Sequence, residues 1–399
     1  MPIEAKDETA STTSLLRVIN ERAVYERIRQ QGPVSRPQLA EATGLSKPTI
    51  SLALADLERW KLVRAVGHRS GNAGRAAVLY EIRPEAGYVI AIDVGRSWVR
   101  LALANLAGDV LARRTEPSQA SSSRQLVAQI SKRARALAAE VGVAYGKITF
   151  TVIGSPGFVD PRSGTIQLAP NLAGWGHPGV LEALADQLGS KFVVENDVKL
   201  ATLGEQAHGQ GKGIANFAFV SIGTGIGMGI VVEGRLYRGA RGAAGEIGYL
   251  PLGEPEAKTT TGVRRRGWLE SVAAGDGVVA NARRLRMKGP LTAKEVFEAA
   301  RNGEAAAQEV VRIEAEHLAR AIAAVTSVID PELVVLGGGI GCNGDLLLKP
   351  IEKQLRTLLR VPPPKLVVSA LGDDAVVLGA LATALTTARE QVFERAISA

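Results

Sequence analysis

Cysteine is almost missing from this chain of 399 residues: Cys342 is the only one, so no internal disulfide framework exists and a reducing compartment is expected. Histidine is scarce as well. The four copies (His68, His177, His208 and His317) are scattered, and no metal cluster is read from their spacing. Aromatic residues make up only 4%. Long apolar runs are missing, because glycines and charges interrupt each candidate before it could span a bilayer. The first residues, MPIEAKDETASTTS, are polar and lack the apolar centre of a signal peptide, so a cytoplasmic protein with no membrane partner is expected. What is present is the composition of a folded protein, 46% hydrophobic and 22% charged. The length suits two or three domains. A net charge of +8 is a mild pointer to an anionic partner.

The organisation changes along the chain. Residues 1–13 are rich in Ser and Thr and poor in apolar groups, which predicts disorder. Leu15, Leu16, Ile19, Val24 and Ile28 then repeat at helical spacing, with a break expected near Asn20, and Gly32-Pro33 stops the run. Ser35 is a helix cap with Pro37 in the first turn; Thr43-Gly44 turns the chain; Ser46 caps a second helix from Lys47 to about Trp60. Leu39, Ala40 and Leu45 should pack against Ile50, Leu54 and Leu57, as in a helix-turn-helix. Arg36 and the outward residues Ser46, Lys47, Thr49, Ser51 and Ala53 are candidate contacts to operator DNA, since small polar groups at a helix N-terminus suit base edges and phosphate. An ordinary helical hairpin with a solvated face is the alternative. Residues 59–75 hold Arg59, Lys61, Arg64, Arg69 and Arg75 without an acid. With strand-like pieces at Leu62–Val66 and Ala77–Ile82, they form a basic wing, in which Arg69 and Arg75 would meet phosphate or a minor groove, or simply solvate a loop. A winged helix-turn-helix over residues 14–83 is therefore expected, and its need for paired half-sites implies a homodimer or higher homo-oligomer.

Arg83-Pro84 through Gly87 is the expected boundary, after which residues 84–399 read as α/β. Tyr88–Asp93 is a strand ending in an acid, a turn follows at 94–97, and Trp98–Asn105 returns. The same scheme recurs at 218–232 around Gly223-Thr-Gly-Ile-Gly227, where glycines leave room for backbone N–H groups near a phosphate. Two such halves imply two lobes around a cleft, the arrangement of actin-like ATPases. Helices are expected at 122–140, 178–188, 197–208 and 305–328.

Seven strings occur in order: Asp93-Val-Gly95, Gly154-Ser-Pro-Gly157, Asn171-Leu-Ala-Gly-Trp175, Glu195-Asn196-Asp197, Ser221 to Gly227, Gly239 to Gly248, and Leu336-Gly-Gly-Gly339. Together they resemble the ROK family (repressors, uncharacterised reading frames and sugar kinases) over about residues 86–385. With a DNA-reading module ahead of it, the chain resembles the repressor branch, of the type that regulates xylose and N-acetylglucosamine operons. The resemblance implies that Asp197 stands at the kinases' base position, that Asn171, Asn196, Glu246 and Glu270 contact sugar, and that Tyr249 replaces a histidine near them. It also implies that Asp93, Gly95, Gly223, Thr224, Gly225, Gly337 and Gly338 descend from phosphate-binding loops. Three departures favour sensing over turnover. Arg96-Ser97 replaces Gly-Thr, the cysteine triad of the family's zinc motif is absent from 260–270, and Tyr249 replaces the zinc histidine. No zinc, no ATP or magnesium and no catalytic residue are expected. An ATP-dependent sugar kinase, and a regulator without a small-molecule ligand, are the alternatives.

Overall fold

A computed structural model describes residues 7–69, 77–160, 162–169, 172–189, 191–252, 266–289 and 291–398, with side chains omitted at 7–14, 68 and 69. The chain opens with helix α1 (Asp7–Gln31), followed by α2 (Arg36–Thr43) and α3 (Lys47–Arg59). Local chemistry sets these boundaries. Gln38 reaches back to accept from the Ser35 amide at 3.0 Å, Gly44 ends α2 at φ 70°, and the Ser46 hydroxyl accepts from Thr49 N at 3.3 Å to start α3. Leu39, Ile50, Leu54 and Leu57 are buried together, with Ala40 and Leu45 packed at their edge, as the spacing predicted. A small antiparallel sheet completes this part: β1 (Val34–Ser35), β2 (Val63–Arg69) and β3 (Ala77–Ile82), in the order β1-β3-β2.

Five expectations are corrected here. α1 begins at Asp7, inside the stretch read as disordered, and runs through Asn20 without a break. Its Leu15, Leu16 and Ile19 are exposed; Val24, Tyr25 and Ile28 form the buried stripe instead. Ala53 points inward at 3% exposure, because its position three residues past Ile50 puts it on the packed face. Strand β2 extends to Arg69 rather than stopping at Val66.

The body has two sheets. In the first lobe, β4 (Tyr88–Val94), β5 (Trp98–Asn105), β6 (Val110–Pro117), β7 (Ile148–Ser155) and β10 (Phe192–Asn196) lie in the order β10-β7-β4-β5-β6. β8 (Phe158–Asp160) and β9 (Thr165–Gln167) form a ribbon beside them, and α4 (Ser123–Glu140), α5 (Val180–Leu188) and α6 (Asp197–His208) complete the lobe. In the second, β11 (Phe217–Ile222), β12 (Ile226–Val232), β13 (Arg235–Leu236), β14 (Leu333–Gly337) and β15 (Lys365–Val368) lie in the order β13-β12-β11-β14-β15. Its helices are α7 (Trp268–Ala273), α8 (Gly275–Arg284), α9 (Ala293–Arg301), α10 (Ala305–Ile329), α11 (Gly338–Gly341) and α12 (Gly344–Leu358). Strand β4 is buried at every position, as befits a central strand covered on both faces.

The last helix, α13 (Ala375–Ile397), returns to the first lobe. Its Phe393 meets Tyr25 and Trp60, with ring centroids 5.6 and 6.3 Å away. One buried apolar cluster therefore runs from Val24 through Phe393 to Val89, across the boundary read at Arg83–Gly87.

Candidate functional site

Both lobes present a strand-turn-strand to a cleft of about 850 Å³. From the first lobe, the end of β10 delivers Asn196 and the start of α6 delivers Asp197. Asn196 caps α6 by accepting from Lys199 N at 3.1 Å and donates to the Gly157 carbonyl at 2.9 Å. Those two bonds fix the bend at which Asp197 enters the cleft. Asp197 Oδ1 accepts from Val198 N at 2.8 Å. Burial pushes its carboxyl above the ordinary range, and the amides of the helix start pull the other way.

The second lobe supplies Glu246, Tyr249 and Glu270 to the same cleft. Glu270 Oε2 accepts from Ile226 N at 3.1 Å, which ties α7 to the turn before β12. Burial raises the carboxyls of both Glu246 and Glu270; beside Glu246, Lys199 works downward and Asp197 upward. Lys199 is 2% exposed and its ammonium donates to the Gly242 carbonyl. Burial lowers its basicity, while Glu195 and Glu246 hold it up. The site is thus a set of hydrogen-bond acceptors with one buried cation behind it. Such a surface can receive several hydroxyl groups of a neutral ligand.

Asn196, Asp197, Glu246, Tyr249 and Glu270 line one cleft. Asn171 lies outside the described residues. Lys199 and the Arg238–Glu195 pair, at 2.7 Å, were missed. A lysine inside the otherwise apolar Val198-Lys-Leu-Ala201 was the available signal.

The glycine turns differ in what they permit. Gly223 N donates to the Gly225 carbonyl at 3.0 Å, and a Cβ on Gly223 would find its nearest neighbour 3.8 Å away. Gly338, at φ 77°, would place a Cβ 2.5 Å from the Ile222 carbonyl oxygen, and one on Gly337 would meet the Phe219 ring at 2.4 Å. Packing therefore requires Gly337 and Gly338 with or without a ligand. In the first lobe, Gly95 N donates to the Trp98 carbonyl at 2.9 Å and Arg96 lines the cleft. Arg100 Nη1 lies 3.0 Å from Asp93 Oδ2, and its Nη2 is 3.4 Å from Asp373. Burial raises the Asp93 carboxyl to about 7, with Asp197 adding to the rise and Arg100 opposing it.

In the N-terminal module, Lys47 and Ser51 are exposed on α3 beside Leu52, which is 67% exposed. Ser46 and Thr49 spend their hydroxyls on each other, 2.8 Å apart, as part of the cap. Arg36 is exposed but laid on Tyr80, donating to its hydroxyl at 2.6 Å. Of the wing cations, Arg59 pairs with Asp56 at 2.8 Å and Arg64 with Glu81 at 2.8 Å, so neither is the unmatched charge that the acid-free run suggested. The acids come from α3 and from the opposite strand. The Arg69 side chain and Arg75 lie outside the described residues, as do Arg264 and Arg265. Arg266 pairs with Asp276, and Trp268 packs edge-on to His317, 5.4 Å between ring centroids.

A family model described as "ROK family" matches residues 89–387. A xylose repressor from Caldicellulosiruptor bescii is 24% identical over 397 residues, covering 94% of this chain and 97% of its own length. A glucokinase from Halalkalibacterium halodurans is 30% identical over 317 residues, covering 73% of this chain and 93% of its own. Among solved structures, a ROK family transcriptional regulator, described as a homologue of the E. coli MLC protein, aligns with a TM-score of 0.77 at 24% identity, over 96% of this chain and 99% of that one. No helix among the described residues is long and apolar enough to cross a membrane.

Proposed function

This chain belongs to the ROK family, and from that premise we propose that it is a DNA-binding repressor of a sugar-utilisation operon whose operator affinity is set by a sugar held in the cleft. The observation that carries this reading is coverage: the repressor match spans the N-terminal module and the body, whereas the glucokinase match reaches 73% of the chain. Lys47, Ser51 and the cap of α3 face the DNA, with Arg36 held beside them by Tyr80. Asn196, Asp197, Glu246, Tyr249 and Glu270, with Asn171, bind sugar hydroxyls. Two copies of the chain read two half-sites, and closure of the lobes on sugar changes the spacing of the heads. A coupling of about 1–3 kcal/mol would change operator affinity 5- to 150-fold.

A sugar kinase is the second reading, favoured by Asp197 and by the open turn at Gly223. The first-lobe turn counts against it. Asp93, which a metal-nucleotide would need, is engaged by Arg100, and Arg96 occupies the cleft wall where the kinases have glycine. The residues do not fit a structural zinc either: Tyr249 and the cysteine-free segment 260–270 offer no soft or imidazole donors.

Mobility shifts on the operator should weaken steeply with salt, and Lys47→Ala should lower the slope by about 1. A sugar from a panel of hexoses and pentoses should release the DNA, with no ATP turnover. Salt-independent or absent DNA binding removes the reader, and turnover in the range of about 1–10³ s⁻¹ makes the chain a kinase.

A further inference from the structure

Helices α1 and α13 enclose a second cavity, of about 120 Å³, at the joint between the N-terminal module and the body. This is room for one small oxyanion or a few waters. Its charges are unequal. Arg22 is matched by Glu390 at 3.1 Å and Arg29 by Glu26 at 2.7 Å. The third guanidinium on the wall, Arg389, donates from Nε to the backbone carbonyl of Leu106 at 2.8 Å. Tyr25, 2% exposed, also lines the cavity, and its hydroxyl has no hydrogen-bond partner among the described residues. A buried donor left unmade costs about 1–3 kcal/mol, so the idle Tyr25 hydroxyl favours an acceptor in this cavity, beside a guanidinium that no carboxylate among the described residues pairs with.

We propose that this cavity binds a small oxyanion of the phosphate or phosphomonoester class, held by Arg389 and Tyr25, and that its occupancy sets how the DNA-reading module sits on the body. The charge environment agrees. Burial and then the like charge of Arg29 lower the basicity of Arg389, Tyr25 and Glu26 work the other way, and an anion would offset the first two. The link to the reader is direct. Phe393 of α13 packs on Tyr25 and on Trp60 at the end of α3, Arg22 lies over the Phe393 ring, and Arg17 of α1 bonds Asp56 of α3. A ligand that draws α1 and α13 together therefore moves the base of the recognition helix. Phosphate geometry suits a guanidinium better than a halide does, because the planar donors pair with two oxygens at once.

The test is calorimetry on the full chain with inorganic phosphate and, separately, glycerol 3-phosphate, each against chloride at equal ionic strength. One site per chain is expected, with about 10-fold weaker binding in Arg389→Gln, no change in Asp197→Ala, and an altered operator affinity when the site is filled. A tighter ester than free phosphate marks a metabolite as the source; equal binding marks the ion itself. Tyr25→Phe gives a second readout that survives if Arg389→Gln fails to fold. Without phosphate it should raise Tm, since an unpaired buried hydroxyl is removed, and it should shrink the rise in Tm that phosphate causes. No phosphate binding at millimolar concentration overturns the proposal. So does binding that persists in both variants, or that is lost in Arg96→Gly, which would put the anion in the large cleft.

Discussion

The turn between β4 and β5 and the turn between β11 and β12 face one cleft from opposite lobes, and both close with a backbone hydrogen bond near 3 Å. Their side chains differ. The second-lobe turn, Gly223-Thr224-Gly225, keeps open space around its first glycine. The first-lobe turn carries Arg96, and the acid before it is bound by Arg100. One turn leaves open space at the cleft, while the other sets Arg96 on the cleft wall and an ion pair behind it. Between them, Asp197, Glu246 and Glu270 stay together. The contrast separates two surfaces that a kinase needs jointly: acceptors able to receive hydroxyls line the cleft, whereas the acid of the first-lobe turn is engaged by a cation.

Four experiments would break or sharpen that contrast. The largest effect should come from Asp197→Ala, which removes a charged acceptor between the turns. Sugar affinity should fall about 100-fold by calorimetry, at about 1.5–3 kcal/mol per hydrogen bond to a charged group, while operator affinity without sugar stays the same. Unchanged sugar binding would move the ligand out of this cleft.

Next, Gly338→Ala should cost about 2–3 kcal/mol in urea unfolding, because a Cβ at φ 77° would press on the Ile222 carbonyl. Gly223→Ala should cost less than about 1 kcal/mol. The reverse order would mean that Gly223, too, is retained for packing.

Third, Asp93 has a folded pKa of about 7, raised first by burial. A raised carboxyl gives its full stabilisation below the unfolded value near 4, and that stabilisation is lost as pH rises through 7. Relative to wild type, Asp93→Asn should therefore gain about 2–4 °C in Tm between pH 5 and pH 8. A constant difference across that window would show that Arg100 keeps Asp93 ionised throughout.

The smallest effect should be in Arg96→Gly combined with Ser97→Thr. A nucleotide that leaves wild-type Tm unchanged should raise that of the variant by about 1–2 °C, the rise expected when weak binding is restored. No rise would place the block at the Asp93–Arg100 pair instead.

Much of this molecule is legible in its sequence. The caps at Ser35 and Ser46, the stop at Gly44, the four expected helices of the body and both glycine turns are local features, set by hydrogen bonds within a few residues or by apolar spacing along one segment. The helices at 268–284, 293–301, 344–358 and 375–397 went unread, although α12 and α9 have apolar stripes comparable to those that were recognised.

By itself, then, the sequence determined the caps, stops and glycine turns that local chemistry sets, which strings share one family, and which residue types were available for a sugar. Tertiary structure decided which charges remained to act. Arg64 looked like part of an unmatched basic wing until Glu81 came across from β3, whereas Arg59 and Asp56, three residues apart on α3, were a pair that spacing alone could have shown. Arg100 was silent until β5 set it against Asp93, and Tyr25, Arg29 and Arg389 became one cavity wall only when α13 closed on α1. The physical reason is range. Capping and periodicity act over three or four residues, but the state of a charge depends on whatever lies within a few ångströms in space, and here those neighbours come from up to 368 positions away in the chain.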